Sequence, residues 1–294
     1  MAGVFTQQTN YQSGEIQLAY DAQISRSNPA CIVILVDQSE SMEDGIKGDA
    51  SKRKCDGVAE VVNRFLHSLV IRCTIGKGEV YPYYYISVIG YGAQVGPAFV
   101  GKYHGVESVC ISDLAMAARI DTKSVQRPEG VETIRTKVWF DPIAGGRTPM
   151  CQAFQLAQRV CEKFVKQYPD CFPPMVMNVT DGDSTDGNPS GGSEAIKQIK
   201  SSNGNTLVFN VHVSSTDAPS IIFPNGEGQL ADPYAKMLFR MSSVLPAKMR
   251  QISKELRFEI ADGAKGFAFN ADLTCITSLL EIGTRGQNTV KSGA

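Results

Sequence analysis

The chain has 294 residues, 43% of them hydrophobic and 20% charged, which is ordinary globular material with enough apolar residues for one large or two small domains. A formal net charge of −1 and a pI of about 6.3 argue against a nucleic-acid surface or a polybasic membrane patch. Met1 to Asn10 lacks the basic-then-apolar order of a signal peptide, and no run reaches the roughly 18 apolar residues of a membrane span, so the expectation is a cytoplasmic protein.

Residues 1–28 read as an N-terminal extension in which Glu15 to Ile24 could form an extra edge strand. Residues 29–284 carry alternating strand and helix signals, and 285–294 read as a C-terminal tail. The run Ala30 to Val36, ending in Asp37, is short, apolar and β-branched, which favours a buried strand. Next, Val58, Val61, Val62, Phe65, Leu66, Leu69 and Val70 keep the 3.6-residue period of an amphipathic helix. Tyr84 to Tyr91 is a second strand. An excursion over about 92–137 follows, with an edge strand near Pro97 to Val100. Phe154, Ala157, Cys161, Phe164, Val165 and Tyr168 mark a second helix, which Thr148 is placed to cap with Pro149 at its first position.

Met175 to Thr180, Thr206 to Val213 and Gly266 to Asn270 repeat the strand signal. Helices are expected over Ser193 to Ser201, Pro233 to Val244, Ala247 to Leu256 and Asp272 to Ile282, with Pro246 separating the middle pair. A second excursion, 214–232, holds Ile221-Ile222-Phe223, either an exposed contact tip or a loop folded on its own core. Strands alternating with helices predict an α/β fold, a doubly wound, mostly parallel sheet flanked by helices. The 8 cysteines are scattered, with no CxxC pair, and read as reduced core thiols.

In such a sheet, ligands bind beyond the carboxyl ends of the strands. The first strand ends in Asp37-Gln38-Ser39-Glu40-Ser41-Met42, and another ends in Thr180-Asp181-Gly182-Asp183. Thr148 lies in Gly145-Gly146-Arg147-Thr148-Pro149 at a helix start on the same edge. The carboxylates of Asp37 and Asp181 and the hydroxyls of Ser39, Ser41 and Thr148 are hard oxygen donors that suit Mg²⁺, Mn²⁺ or Ca²⁺ rather than zinc. Neutral hydroxyls leave such an ion incompletely neutralised, so an open position would attract an outside carboxylate.

These residues resemble the DxSxS…T…D metal-ion-dependent adhesion site of von Willebrand factor A-type (VWA) domains, over roughly Pro29 to Gly283. The resemblance implies a Rossmann-like VWA fold holding Mg²⁺, with Mn²⁺ or Ca²⁺ as alternatives. Ser39, Ser41 and Thr148 would be direct ligands, Asp37 and Asp181 would bind directly or through water, and a protein partner would supply a Glu or Asp. Glu40 stands where the family commonly has Gly; a solvent-facing side chain is the favoured reading. Thr148-Pro-Met-Cys and Thr180-Asp-Gly-Asp-Ser-Thr-Asp186-Gly are similar to intracellular bacterial VWA proteins of tellurite-resistance and stress-associated clusters. That likeness implies a stress-response or defence setting with kinase or phosphatase partners, and no nucleic acid or membrane.

The plainer readings are as follows. Asp183, Ser184 and Asp186 form a solvated turn punctuated by Gly182 and Gly187; Glu43, Asp44 and Asp49 add an acidic rim. His67 is structural, His104 lies in a loop, and His212 is a satisfied core or edge residue; Trp139 and Phe140 pack the core. Scattered histidines give a catalytic triad little support, so a binding module rather than an enzyme is expected. The rivals are a Mg²⁺-dependent phosphoryl hydrolase or transferase, disfavoured because Ser39 replaces the second Asp of DxDx[TV] and no lysine sits in an obvious phosphate-clamping motif, and a metal-free scaffold.

Overall fold

The structure, a computed structural model, describes residues 20–127, 130–255, 258–285 and 288–289. The apolar run after Pro29 forms β1 (Ala30–Asp37), buried along its whole length. A short hairpin of β2 (Gly45–Ile46) and β3 (Asp49–Arg53) leads into α1 (Lys54–Cys73). Then come β4 (Tyr84–Tyr91), β5 (Val95–Pro97), β6 (Val109–Cys110) and α2 (Ile111–Ala115). A two-stranded ribbon follows, β7 (Arg119–Arg127) and β8 (Gly130–Val138), and then α3 (Met150–Gln167). The remainder is β9 (Met175–Thr180), α4 (Ser190–Gln198), β10 (Leu207–Val213), β11 (Ile221–Ile222), α5 (Pro233–Met241), α6 (Ala247–Glu255), β12 (Phe267–Ala271) and α7 (Leu273–Arg285).

The main sheet runs β11-β12-β10-β9-β1-β4-β5, with β6 on the far part of β4. β12, β10, β9, β1 and β4 are parallel; β11, β5 and β6 are antiparallel additions at the edges. This is the doubly wound, mostly parallel α/β sheet that the alternation of elements predicts. Period-2 geometry splits each strand between two cores. Ile32, Ile34 and Val36 face the layer of α1 and α7, whereas Cys31, Val33 and Leu35 face α3, α4 and α5. Each fully buried Ile or Leu contributes about 1.5–3 kcal/mol, so these layers, more than local propensity, hold the strands in place.

The differences from expectation have local causes. The edge strand is Val95–Pro97, because at Phe99 the chain exchanges β4 for a bridge to Phe140. The 92–137 excursion is largely structured, and among the described residues the two strands of its β7–β8 ribbon pair with each other and with no other strand. α4 starts at Ser190, where Asn188 accepts the Ser190 N–H at 2.9 Å, and ends before a small ladder that takes up Ser201. α5 stops at Met241, where the Ser242 hydroxyl donates back to the Leu238 carbonyl at 2.8 Å.

Ile221-Ile222-Phe223 is folded down. The first two residues pair with β12, and Phe223 packs in the core at positive φ (51°). Of the expected extra strand over Glu15 to Ile24, Gln23–Ile24 pairs in parallel with Asn288–Thr289; positions 15–19 lie outside the described residues. Among the described residues, no helix is long and apolar enough to cross a membrane.

Candidate metal centre

β1 and β9 are neighbours in the sheet, yet the helices that follow them pack on opposite faces, so a crevice opens beyond their carboxyl ends. Asp37 ends β1 and Asp181 follows β9 directly. The register Val36↔Val179 brings Thr180 beside Asp37, and the Thr180 hydroxyl donates to Asp37 Oδ2 at 2.7 Å. The Ser39 N–H donates to Asp37 Oδ1 at 2.9 Å, a side-chain-to-backbone turn that swings the chain into a single 3₁₀ turn, Glu40–Glu43. That turn sets the Ser39 and Ser41 hydroxyls 3.1 Å apart, and Ser41 donates to Asp181 Oδ1 at 2.7 Å. A continuous line of oxygens therefore crosses the crevice. Ser39 is buried at one end of it, while Ser41 is exposed.

The loop that carries Thr148 docks on the end of β1, although among the described residues no hydrogen bond joins the Thr148 side chain to Asp37, Ser39, Ser41 or Asp181. The Gly145 N–H donates to the Gln38 carbonyl at 2.8 Å, and the Glu40 N–H donates to the Gly146 carbonyl at 3.1 Å. The approach requires glycine. A Cβ on Gly92 would lie 2.3 Å from the Gln38 carbonyl oxygen, and one on Gly146 (φ 82°) would lie 2.5 Å from the Ala93 nitrogen. On its other side Thr148 donates its N–H to the Thr185 hydroxyl and accepts from the Thr185 N–H, at 3.0 and 2.9 Å.

Thr148 does not cap α3, however. Pro149 is the residue flanking the helix, and the free N–H groups of Cys151 and Gln152 are taken by the Asp186 carboxylate at 2.9 and 3.1 Å. Asp186 thus stays in an exposed turn of the β9 loop, as expected, and from there also caps α3. Although partial burial opposes it, these two N–H donors and the Ser184 hydroxyl hold its carboxyl below the usual carboxylate range.

The two site carboxylates sit in unlike surroundings. Asp37 is fully buried, and burial pushes its carboxyl up to about 6 against the pull of Ser39 and Thr180. Asp181 is half-buried as a residue, but its side chain is withdrawn from solvent and carries an ion pair: Lys54 Nζ lies 2.8 Å from Asp181 Oδ2. Lys54 also donates to Asp44 Oδ2 and to the Ser41 carbonyl, each at 3.3 Å. The acidic rim is partly paired within its own segment. Arg53 binds Glu43 and Asp56, Lys54 binds Asp44, and Asp49 accepts from Ser51. Glu40 is exposed.

Behind the oxygens stands a polar row. The Tyr91 hydroxyl donates to Asn178 Oδ1 at 2.6 Å, Asn178 Nδ2 to Asn210 Oδ1 at 3.1 Å, and Asn210 Nδ2 to Ser242 Oγ at 3.0 Å. His212 lies opposite Thr180 and stacks on Phe269, with ring centroids 4.6 Å apart. Its buried Nδ1 has no hydrogen-bond partner, although the ring also meets the Asp181 backbone, so it is only in part the satisfied residue expected from the strand pattern. Burial lowers its pKa, against the charges of Asp181 and Asp232. Trp139 and Phe140 pack the core as expected, with Trp139 Nε1 donating to the Leu114 carbonyl at 2.7 Å.

Sequence reasoning missed Lys54 and Thr180. Thr180 was within reach, since a hydroxyl immediately before the second carboxylate lies level with the first in parallel register. Lys54 had only a weak signal, the cationic run Lys52-Arg53-Lys54 after an acidic loop.

Among the described residues, no cluster of three or more His, Cys, Asp or Glu side chains is placed to share a metal; the oxygens here are mostly hydroxyls. No known protein family matches the chain, and no curated protein matches it. Among solved structures the chain is similar to the manganese-loaded TRAP protein of Plasmodium vivax, at 12% identity and a TM-score of 0.42, over 86% of this chain and 72% of that one. It is also similar to the pilus adhesin RrgA of Streptococcus pneumoniae, at 14% identity and a TM-score of 0.31, over 55% and 21% of the two chains. Three N-terminal domains of the type V pili tip protein Mfa5 of Porphyromonas gingivalis share 12% identity at a TM-score of 0.32, over 53% and 20%. The chain spans about a fifth of the length of these two pilus structures. Likenesses of this size assign neither a family nor an activity.

Proposed function

We propose that the chain is a VWA-type, divalent-cation-dependent protein-interaction module, and that its centre binds an acidic side chain of a partner through Mg²⁺ or Mn²⁺. The observation that carries this reading is the oxygen line Ser39–Ser41–Asp181, with steps of 3.1 and 2.7 Å. Adjacent ligands of an octahedral ion with 2.0–2.1 Å bonds lie about 2.8–3.0 Å apart, so the spacing and the all-oxygen donor set fit such an ion. Ser39, Ser41 and Thr148 would hold it, with Asp37 and Asp181 binding directly or through water. The bound ion would supply Lewis-acid attraction for a carboxylate arriving on the open Ser41 side.

One observation favours the phosphoryl-transfer alternative: Lys54 stands at the centre as a potential phosphate clamp. Its ammonium has three donors, and Asp181, Asp44 and the Ser41 carbonyl take them. Asp37 is fully buried, which denies it the access a nucleophile needs. The binding module is therefore preferred to an enzyme. Six buried thiols and two half-buried ones suit a reducing cytoplasm, and the stress-response or defence setting with kinase or phosphatase partners belongs to the same proposal.

Isothermal titration with Mg²⁺ and Mn²⁺ tests the metal. The wild type is expected to bind an ion and to melt at higher temperature as ion concentration rises. Thr148→Ala should lose most of that affinity while keeping its fold. No heat and no stabilisation with either ion would end the reading in favour of a metal-free scaffold.

A further inference from the structure

Lys54 is the first residue of α1, placed there by the return of the β2–β3 hairpin, and its N–H donates to the Asp44 carbonyl at 2.8 Å. A lysine with only 5% exposure is uncommon and needs its charge matched. Here it is matched by Asp181, whose side chain is 0% exposed; Asp44, the other acid in reach, has a side chain 64% exposed and is screened by water. The neighbouring cation Arg53 is occupied elsewhere, by Glu43 and Asp56. One oxygen of Asp181 thus faces the serine hydroxyls while the other faces a resident ammonium.

We propose that Lys54 is a positioning residue that sets the cation affinity of the centre: a built-in counter-cation that fixes Asp181 in its site-facing orientation when no ion is present and offsets part of the charge a divalent ion would otherwise meet. This rests on the metal reading above. At neutral pH, before an ion enters, the carboxylates of Asp37 and Asp181 carry two negative charges and Lys54 offsets one of them. A dication arriving near Asp181 therefore gains less attraction than the two carboxylates alone would give, and meets direct repulsion from the ammonium on the same carboxylate.

The test is Mn²⁺ titration of the full chain as wild type, Lys54→Gln, Lys54→Met and Lys54→Arg, with melting measured in chelator alongside. Gln keeps a donor for Asp181 without charge, Met keeps only the packed stem, and Arg keeps the charge. Gln and Met are expected to bind Mn²⁺ at least about tenfold tighter than wild type, and Arg to stay near it. In chelator, Met should melt below Gln and wild type, and Mn²⁺ should recover the loss. The role of Lys54 is overturned if wild type binds Mn²⁺ and a folded Gln or Met variant binds it equally or more weakly. If wild type and all three variants ignore Mn²⁺, the metal reading itself falls, and this inference with it.

Discussion

The two strand ends that meet at the crevice solve the same electrostatic problem in opposite ways. At the end of β1, Asp37 is surrounded by neutral donors, the Ser39 N–H and the Thr180 hydroxyl, and its carboxyl is pushed up to about 6. At the end of β9, the Asp181 side chain is likewise shielded from solvent but is paired with Lys54. Neutral hydrogen bonds only partly offset the desolvation of an ion, whereas an opposite charge at contact distance sets Coulombic attraction against the desolvation of both partners. One side of the centre is therefore short of positive charge and the other already holds it.

This contrast breaks most sharply when each carboxylate becomes an amide. Asp181→Asn strands the buried ammonium of Lys54 with only the exposed Asp44 for company. It is expected to lower unfolding free energy by about 3 kcal/mol, measured by urea titration in chelator. Asp37→Asn removes a carboxylate that burial disfavours, so it should cost no stability in chelator at neutral pH, and any gain should stay below the roughly 3 kcal/mol that ionised Asp37 costs, while Mn²⁺ binding is lost. Equal losses from the two substitutions would refute the asymmetry.

The next effect in size is a pH dependence. The native Asp37 carboxyl keeps its proton up to about pH 6, whereas the unfolded chain releases it near the ordinary value of 3.8. Between these values the native state binds more protons. The contribution is fully present below about pH 4 and is lost as pH rises through 6, by about 3 kcal/mol at most. Melting in chelator across that window should show the decline in wild type but not in Asp37→Asn. Mn²⁺ affinity should strengthen across the same window, because the ion requires the ionised carboxylate.

A smaller effect is expected at the helix that borders both ends. Asp186→Ala removes the cap of α3 and should cost about 1 kcal/mol of stability, read by urea titration, with little change in ion affinity. The smallest belongs to Glu40→Gln. With the side chain exposed, ion affinity by titration should stay within about twofold and stability within about 0.5 kcal/mol. A large gain in affinity would instead place the Glu40 carboxylate at the ion.

Where a signal was a continuous apolar run or a helical repeat, the sequence predicted the architecture well. Ala30–Asp37, Tyr84–Tyr91 and Met175–Thr180 coincide with their expected runs, because continuous apolar stretches between helical repeats leave little else for the chain to form. Those same strand ends made Asp37, Ser39, Ser41 and Asp181 readable as one group, since chain order and parallel register determine which residues share an edge. What escaped depends on contacts between distant segments. Lys54 reaches Asp181 across 127 positions and Asp186 reaches Cys151 across 35, and neither pairing leaves a periodic trace. The fate of Ile221-Ile222-Phe223 turned on whether β12 had an open edge to receive it, a property of the assembled sheet rather than of the segment.

The row Tyr91–Asn178–Asn210–Ser242 acts as a key for how the strands slide past one another. Parallel neighbours rich in valine and isoleucine tolerate a slip of two positions with little change in apolar contact. Here a slip would turn each amide toward hydrocarbon, at about 1–3 kcal/mol for every donor or acceptor left empty. Only one alignment keeps the chain of amides closed. That alignment also fixes how far β9 projects beyond the sheet, and hence the height at which Asp181 meets Asp37 on the neighbouring β1.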